Sequence, residues 1–314
     1  MSRYLVTGGA GFIGSHLVET LLDRGEEVRV LDNFLTGKRE NLASFGGRLE
    51  VVEGDLRDPD ACRRAVDGVD FVLHEAALPS VPRSVADPFT TDEINVRGTL
   101  NLLWAAARAK VRRLVFASSS SVYGDAPGLP KREGEEGKPL SPYAASKWAG
   151  EKYLQVFAKT FDLETVSLRY FNVFGPRQDP ASQYAAAVPL FITRILRGEA
   201  PTVFGDGEQS RDFTYVANVV EANLLACTAG GAAGGVFNVA CADRITVNVL
   251  IAKINEILGK SIAPVYAAPR PGDIRHSFAD ISAAERELGY RPVVGFEEGL
   301  RRTIAWCGQR GNHR

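Results

Sequence analysis

Short, continuously apolar runs recur along the first half of the chain, at residues 4–6, 28–31, 49–52, 71–73, 114–116 and 165–168. They lack the in/out alternation of a half-exposed sheet and predict strands of a parallel sheet covered on both faces. Between them lie stretches of helical period, such as residues 13–24, with Gly25 placed to end the helix. Strand and helix alternating in this way predict right-handed crossovers and a doubly wound α/β sheet. After about residue 170 the rhythm changes. Loops rich in Gly, Pro and Asp, at 175–180, 205–209 and 269–273, separate shorter helices and strands. The expected division is a sheet domain over residues 1–169 and a smaller C-terminal α/β domain over 170–314, packed on the sheet's carboxyl edge, some of its segments returning to the first. The run 230–235 reads as a surface turn without chemistry, and no internal repeat is present.

Composition narrows the ligand classes. The chain has 314 residues, 45% hydrophobic and 24% charged, with a net charge of -1. No global basic field exists to hold nucleic acid or an anionic membrane, so any phosphate-bearing ligand needs a local site. Cys62, Cys227, Cys241 and Cys307 are scattered and form no CxxC pair, which suggests neither a disulfide framework nor a zinc site. His16, His74, His276 and His313 form no metal-like cluster, so no metal is assigned. The sequence opens directly into a strand pattern, and no apolar run approaches bilayer length. The expectation is a cytoplasmic protein.

The run Thr7-Gly8-Gly9-Ala10-Gly11-Phe12-Ile13-Gly14 follows the first strand and opens the first helix. Glycines at 8, 11 and 14 allow a tight turn and a close backbone approach to a pyrophosphate, and the helix N-terminus offers amide donors. Asp32 ends the second strand where a ribose diol would lie. With Asn33 after it rather than a basic residue, Asp32 would repel a 2′-phosphate and favours NAD over NADP. Asp55, after Gly54 and before Leu56, could reach an adenine amino group or could cap a helix before Pro59. Glu75 is followed by Ala76 and Ala77, small residues that let the chain pass close to a cofactor.

Four serines, Ser118 to Ser121, end the fifth strand, and Ser141-Pro142-Tyr143-Ala144-Ala145-Ser146-Lys147 follows. Ser141 is placed to cap a helix and Pro142 to begin it. Tyr143 and Lys147 then share one helix face at i and i+4. A phenol titrates near ~10 unperturbed. An ammonium one turn away and a positive nicotinamide ring would both stabilise the phenolate. That makes Tyr143 a candidate acid/base for hydride transfer, with Ser119 sharing the hydrogen bond to the reacting hydroxyl.

Together these residues resemble the extended short-chain dehydrogenase/reductase family, and within it the nucleotide-sugar 4-epimerases, over nearly the whole chain. The resemblance implies a Rossmann-like NAD-binding first domain and a mainly UDP-sugar-binding second. It implies cofactor contacts at Gly8, Gly11, Phe12, Ile13, Gly14, Asp32, Asn33, Asp55, Leu56, Ala76, Ala77, Asn95, Tyr143, Lys147 and Tyr170. Ser119, Tyr143 and Lys147 match the family's catalytic set, and Ser120 could share the serine's role. On the substrate side the resemblance implies Asn172, Val203, Phe204, Arg211, Arg270, Asp273 and Ser277, beside Ser119, Ser120 and Tyr143.

The family's dehydratases and decarboxylases carry a carboxylate where this chain has Ser120 and Ser121, so the resemblance implies 4-epimerisation. Tyr143 removes the 4-hydroxyl proton, hydride passes to bound NAD, the 4-ketose rotates, and hydride returns to its other face. In the family the position of Ser277 gates the sugar pocket, a small residue admitting a 2-acetamido group. Residues 178–180 and 184–189 also resemble the N-acetylhexosamine subgroup. The expected reaction is interconversion of UDP-GlcNAc and UDP-GalNAc, with UDP-Glc and UDP-Gal as poorer substrates. UDP-glucuronate, with Arg83 or Arg275 on its carboxylate, is an alternative. A simple dehydrogenase and a non-catalytic NAD-binding regulator are others. Homodimerisation, through helices at 87–110 and 142–161, is a family expectation.

Overall fold

The computed structural model describes residues 1–180, 187–269 and 275–311. Seven strands form one parallel sheet: β1 (Arg3–Thr7), β2 (Glu27–Asp32), β3 (Leu49–Glu53), β4 (Phe71–His74), β5 (Arg113–Ser119), β6 (Glu164–Tyr170) and β7 (Val236–Val239). Their spatial order is β7-β6-β5-β4-β1-β2-β3. The chain runs outward from β1 to β3, then crosses back so that β4 pairs with β1, with Thr7 opposite His74. That reversal opens a crevice at the carboxyl ends of β1 and β4, where ligands of such sheets bind.

Both sheet faces are buried, as the apolar runs require. Leu17, Val18 and Leu21 of helix Phe12–Asp23 and Val219 and Val220 of helix Val216–Thr228 pack on Val6, Val30, Val115 and Leu168. On the other face Leu102 and Leu103 of helix Gly98–Arg108 and Leu154 and Phe157 of helix Pro142–Thr160 cover Leu5, Leu31, Val72 and Leu114. A third core gathers Phe174, Phe191, Ile192, Phe213, Leu250, Ile254 and Leu300 from the C-terminal half. Phe12 and Ile13 pack against it, so the first turn after the glycines touches both halves.

Two elements add detail to the sequence reading. The C-terminal half returns a strand to the sheet: β7 pairs with β6, Val239 opposite Tyr170. The helix expected over 87–110 is a short helix, Pro88–Asp92, then a π-turn, Glu93–Arg97, then helix Gly98–Arg108. The π-turn presents Asn95, and such turns are frequent at functional sites. No helix among the described residues is long and apolar enough to cross a membrane.

Candidate active site

The glycine turn is fixed by space as much as by conformation. Gly8 has φ +68°, and a Cβ there would lie 2.8 Å from the Ala76 backbone. A Cβ on Gly14 would lie 2.2 Å from the Gly8 carbonyl oxygen. The turn after β1 and the segment after β4 therefore meet backbone to backbone across the crevice. Helix Phe12–Asp23 begins at Gly11 with no side-chain cap and no acidic residue in its first turn, which leaves its amide donors for an anion.

Asp32 accepts from the amides of Ala10 (2.9 Å) and Phe34 (2.8 Å), and burial pushes its carboxyl up. Asn33 donates to Asp55 at 2.7 Å. Arg57 grips the same carboxylate through Nε (3.0 Å) and a terminal nitrogen (2.9 Å). These hydrogen bonds, Arg57 foremost, hold Asp55 down at about 2. Asp55 is thus a charged acceptor that an adenine amino group would have to share with Arg57.

The structure brings Ser119, Tyr143 and Lys147 together. The Ser141 hydroxyl caps its helix by accepting from Ala144 N at 3.1 Å, and the Tyr143 amide donates to Ser84 at 3.0 Å. Tyr143 hydrogen-bonds Ser119, which opposes the upward push of burial on the phenol. Lys147 is 3% exposed and donates to the Ala117 carbonyl at 2.7 Å. Burial pulls its ammonium down to about 8, against the carboxylates of Glu75 and Glu151. The serine run divides its labour. Ser118 donates to buried Glu151, Ser119 faces Tyr143, and Ser120 and Ser121 enter a 3-10 turn. The Ser121 hydroxyl is buried with no hydrogen-bond partner.

Beneath this set lies a fully buried ion pair. Arg169 meets Glu151 through two hydrogen bonds, 2.8 and 2.7 Å, and also bonds Glu136. Its guanidinium lies 4.8 Å from the Tyr123 ring centroid. Tyr143, Lys147 and Glu151 stand at i, i+4 and i+8, so this pair anchors the helix one turn past Lys147. Across the sheet, the Tyr170 hydroxyl donates to Glu75 and accepts from Asn223, both at 2.7 Å. Burial pushes Glu75 up to about 7 despite Tyr170 and Lys147. His74, between the hydroxyls of Thr7 and Thr99, is driven down to about 3 by burial and then Lys147, so it stays neutral. The sequence reading assigned no role to Glu75 or to the Glu151–Arg169 pair. Their signal, a polar residue at an inward position, was visible only for Glu75 at its strand end.

Three residues expected at ligands have side chains engaged elsewhere in the fold. Leu56, 5% exposed, packs in the core under helix Gly98–Arg108. Asn95 is committed to the Leu78 amide (2.8 Å) and carbonyl (3.3 Å) and to Ser146 (3.0 Å); it braces the strand-end segment against the helix of Lys147. Val203, 1% exposed, is the inward residue of a three-residue strand in the third core. Ala77 is half-buried beside Ala76 at the crevice.

Among the residues expected at the sugar nucleotide, Asn172, φ +33°, donates to the Asp212 carbonyl at 3.2 Å. Phe204 lends its carbonyl to Gln209 at 2.8 Å. Arg211 bonds the carbonyls of Ser210 (2.9 Å) and Arg275 (3.2 Å). The strap 275–280 is stitched alongside: Ser277 N donates to Ser210 O at 3.1 Å and Lys131 N to Phe278 O at 2.9 Å. Fully buried Asp212 accepts from the amides of Cys241 (2.9 Å) and Ala279 (3.3 Å), and burial pushes it up to about 6. Ser277 is half-buried on this strap. Arg270, Asp273 and residues 184–186 lie outside the described residues.

A doubly wound sheet with an uncapped glycine-rich helix start beside a Ser–Tyr–Lys set defines a class. A model of the NAD dependent epimerase/dehydratase family matches residues 4–240, and the chain belongs to that family. It is an NAD-dependent nucleotide-sugar 4-epimerase, an isomerase whose cofactor is NAD. A UDP-glucose 4-epimerase of Mycolicibacterium smegmatis is 40% identical over 308 residues, covering 96% of this chain and 97% of that one. The solved UDP-N-acetylglucosamine 4-epimerase of Methanobrevibacter ruminantium, in complex with UDP-N-acetylmuramic acid, is 44% identical at TM-score 0.94, covering 98% and 99%. The UDP-glucose 4-epimerase of Thermus thermophilus, in complex with NAD, is 42% identical at TM-score 0.88, again covering 98% and 99%.

Proposed function

We propose that the enzyme interconverts UDP-GlcNAc and UDP-GalNAc, with UDP-Glc and UDP-Gal as poorer substrates. The observation that carries this reading is Ser277, a small, half-buried side chain at the position that gates the sugar pocket in the family, where a small residue would admit a 2-acetamido group. The 44% identity to the M. ruminantium UDP-N-acetylglucosamine 4-epimerase supports it. Of the two cations offered for a glucuronate, Arg83 and Arg275, the second is paired with Asp206 at 2.8 Å.

The residues fit NAD. The Gly8–Gly14 turn leaves no room for a Cβ and offers uncapped amides to a pyrophosphate, with Asp32 and Asn33 for a ribose, Asp55 for adenine, and Ala76 and Ala77 lining the approach. Bound NAD supplies a reversible hydride acceptor for carbon 4 of the sugar. Tyr143 takes the 4-hydroxyl proton on its phenol oxygen and gives it back, Ser119 shares that hydrogen bond, and the Lys147 ammonium stabilises the phenolate. Ser120 and Ser121 offer hydroxyls where elimination would need an acid. Asn172, Phe204, Arg211, Arg270 and Asp273 hold the uridine diphosphate, a guanidinium fork matching phosphate geometry. Residues 170–314 thus serve mainly the sugar nucleotide and 1–169 mainly NAD. The enzyme acts as a homodimer in the cytoplasm. Val85, Phe89, Trp104, Tyr153, Val156 and Phe161 form an exposed apolar set on or beside the helices packed around Pro142–Thr160, the surface such a dimer would cover.

The test is an anomeric-proton NMR time course with UDP-GlcNAc and UDP-Glc offered separately, without added NAD. UDP-GalNAc forming faster than UDP-Gal is the expected result. Fast UDP-Gal with little UDP-GalNAc overturns the sugar assignment.

A further inference from the structure

Two carboxylates stand near Lys147, and only one is neutralised by contact. Glu151 is gripped by Arg169. Glu75 has no such cation among the described residues: its carboxyl receives the Tyr170 hydroxyl, which is itself held by Asn223. Sheet register places Glu75 close to the reacting groups. His74 pairs with Phe116 on β5, so Glu75 falls level with Ala117, whose carbonyl holds the Lys147 ammonium. Tyr170 in turn pairs with Ser119, the residue hydrogen-bonded to Tyr143.

We propose that Glu75 is a positioning residue of the proton-transfer step: its carboxyl, pinned by Asn223 through Tyr170, sets the charge against which Tyr143 ionises. The inference rests on the reading of Tyr143 as acid/base. The groups facing Glu75 leave it this role. On its own strand His74 is neutral. From β6 comes Tyr170, and from helix Val216–Thr228 comes Asn223; the buried Cys227 thiol, which burial pushes up to about 12, acts on Tyr170. From β5 comes Ser119, and from helix Pro142–Thr160 come Tyr143 and Lys147, with Glu151 already paired. Lys147 is therefore the cation that feels Glu75. A charged Glu75 makes the Tyr143 phenolate harder to form, and a protonated one releases it. As Glu75 titrates up to about 7, the two ionisations are coupled and spread over a wide pH interval.

The test uses the holoenzyme and two readouts, the pH dependence of kcat and ultraviolet difference titration of the Tyr143 phenolate against Tyr143→Phe. The wild type should show a shallow acid limb. Glu75→Gln keeps an acceptor for Tyr170 but no charge, and should steepen that limb and move both midpoints about one pH unit lower. Tyr170→Phe removes the donor that favours the carboxylate. It should move the limb part-way in the same direction and add nothing on top of Glu75→Gln. If Glu75→Gln keeps the wild-type limb and phenolate midpoint, with only a scaled kcat, the inference is overturned while Tyr143 stands. If Tyr143→Phe keeps turning over, the assignment of Tyr143 falls and the inference with it.

Discussion

Around the glycine turn, position is enforced by atoms that cannot move: a Cβ on Gly14 would sit 2.2 Å from a backbone oxygen. Around the strap 275–280, position is enforced by hydrogen bonds: backbone bonds to Ser210 and Lys131, and a buried carboxylate, Asp212, that ties the Ala279 amide to that of Cys241. The first device is insensitive to pH and fails completely when it fails, because backbone has nowhere to go. The second is graded and titratable. On the function proposed above, a cofactor retained through each cycle suits the first, and a substrate that enters and leaves suits the second. The Glu151–Arg169 pair is intermediate: polar in chemistry, yet so deeply buried that it behaves like a steric constraint.

The strongest test of that intermediate case is Arg169→Met. It leaves Glu151 buried without its cation, and the expected loss is about 3–5 kcal/mol, read by urea unfolding; a loss under about 1 kcal/mol would separate the pair from the steric class. Gly14→Ala comes next. It should weaken NAD retention on the order of a hundredfold, equivalent to about 3 kcal/mol, measured as cofactor released from purified protein; full retention breaks the comparison. Asp212→Asn is the mildest. It loses one backbone acceptor, and the KM for the sugar nucleotide should rise a few-fold, roughly 1 kcal/mol, with kcat unchanged. Asp212 also gives the polar device a pH signature. Its folded pKa, about 6, is raised above the unfolded value. Its contribution to stability is therefore full below the unfolded pKa and lost as pH rises through about 6. Asp212→Asn should remove that slope between pH 4 and about 6 in a series of unfolding curves.

The same contrast explains what the sequence made legible. Strands β1, β2 and β4 to β6 announce themselves because both faces are covered and their runs are mainly apolar, whereas β3 is an edge strand left largely exposed. β7 is Val-Phe-Asn-Val behind a glycine-rich turn; Asn238 interrupts the run because it serves Tyr123, Lys131 and Asp280. The glycine turn and the Tyr143–Lys147 spacing are local and could be read directly. Val203 could not, since a three-residue strand has no period to show which side faces inward. Nor could Asn95, whose π-turn has no sequence signature. Glu75 stands in plain view at a strand end, but its charge depends on Tyr170, 95 residues away, and on burial that only the folded chain creates.

Because β7 lies beside β6 yet comes after residue 235, the sheet stays unfinished until the sugar-side segment between them has been made. A nascent chain ending near Tyr170 would present β6 as a bare edge, its amides and carbonyls open to any passing strand. The order of synthesis therefore obliges the ribosome to release most of the molecule before that edge is sealed, and truncations short of Val239 should be the ones that aggregate.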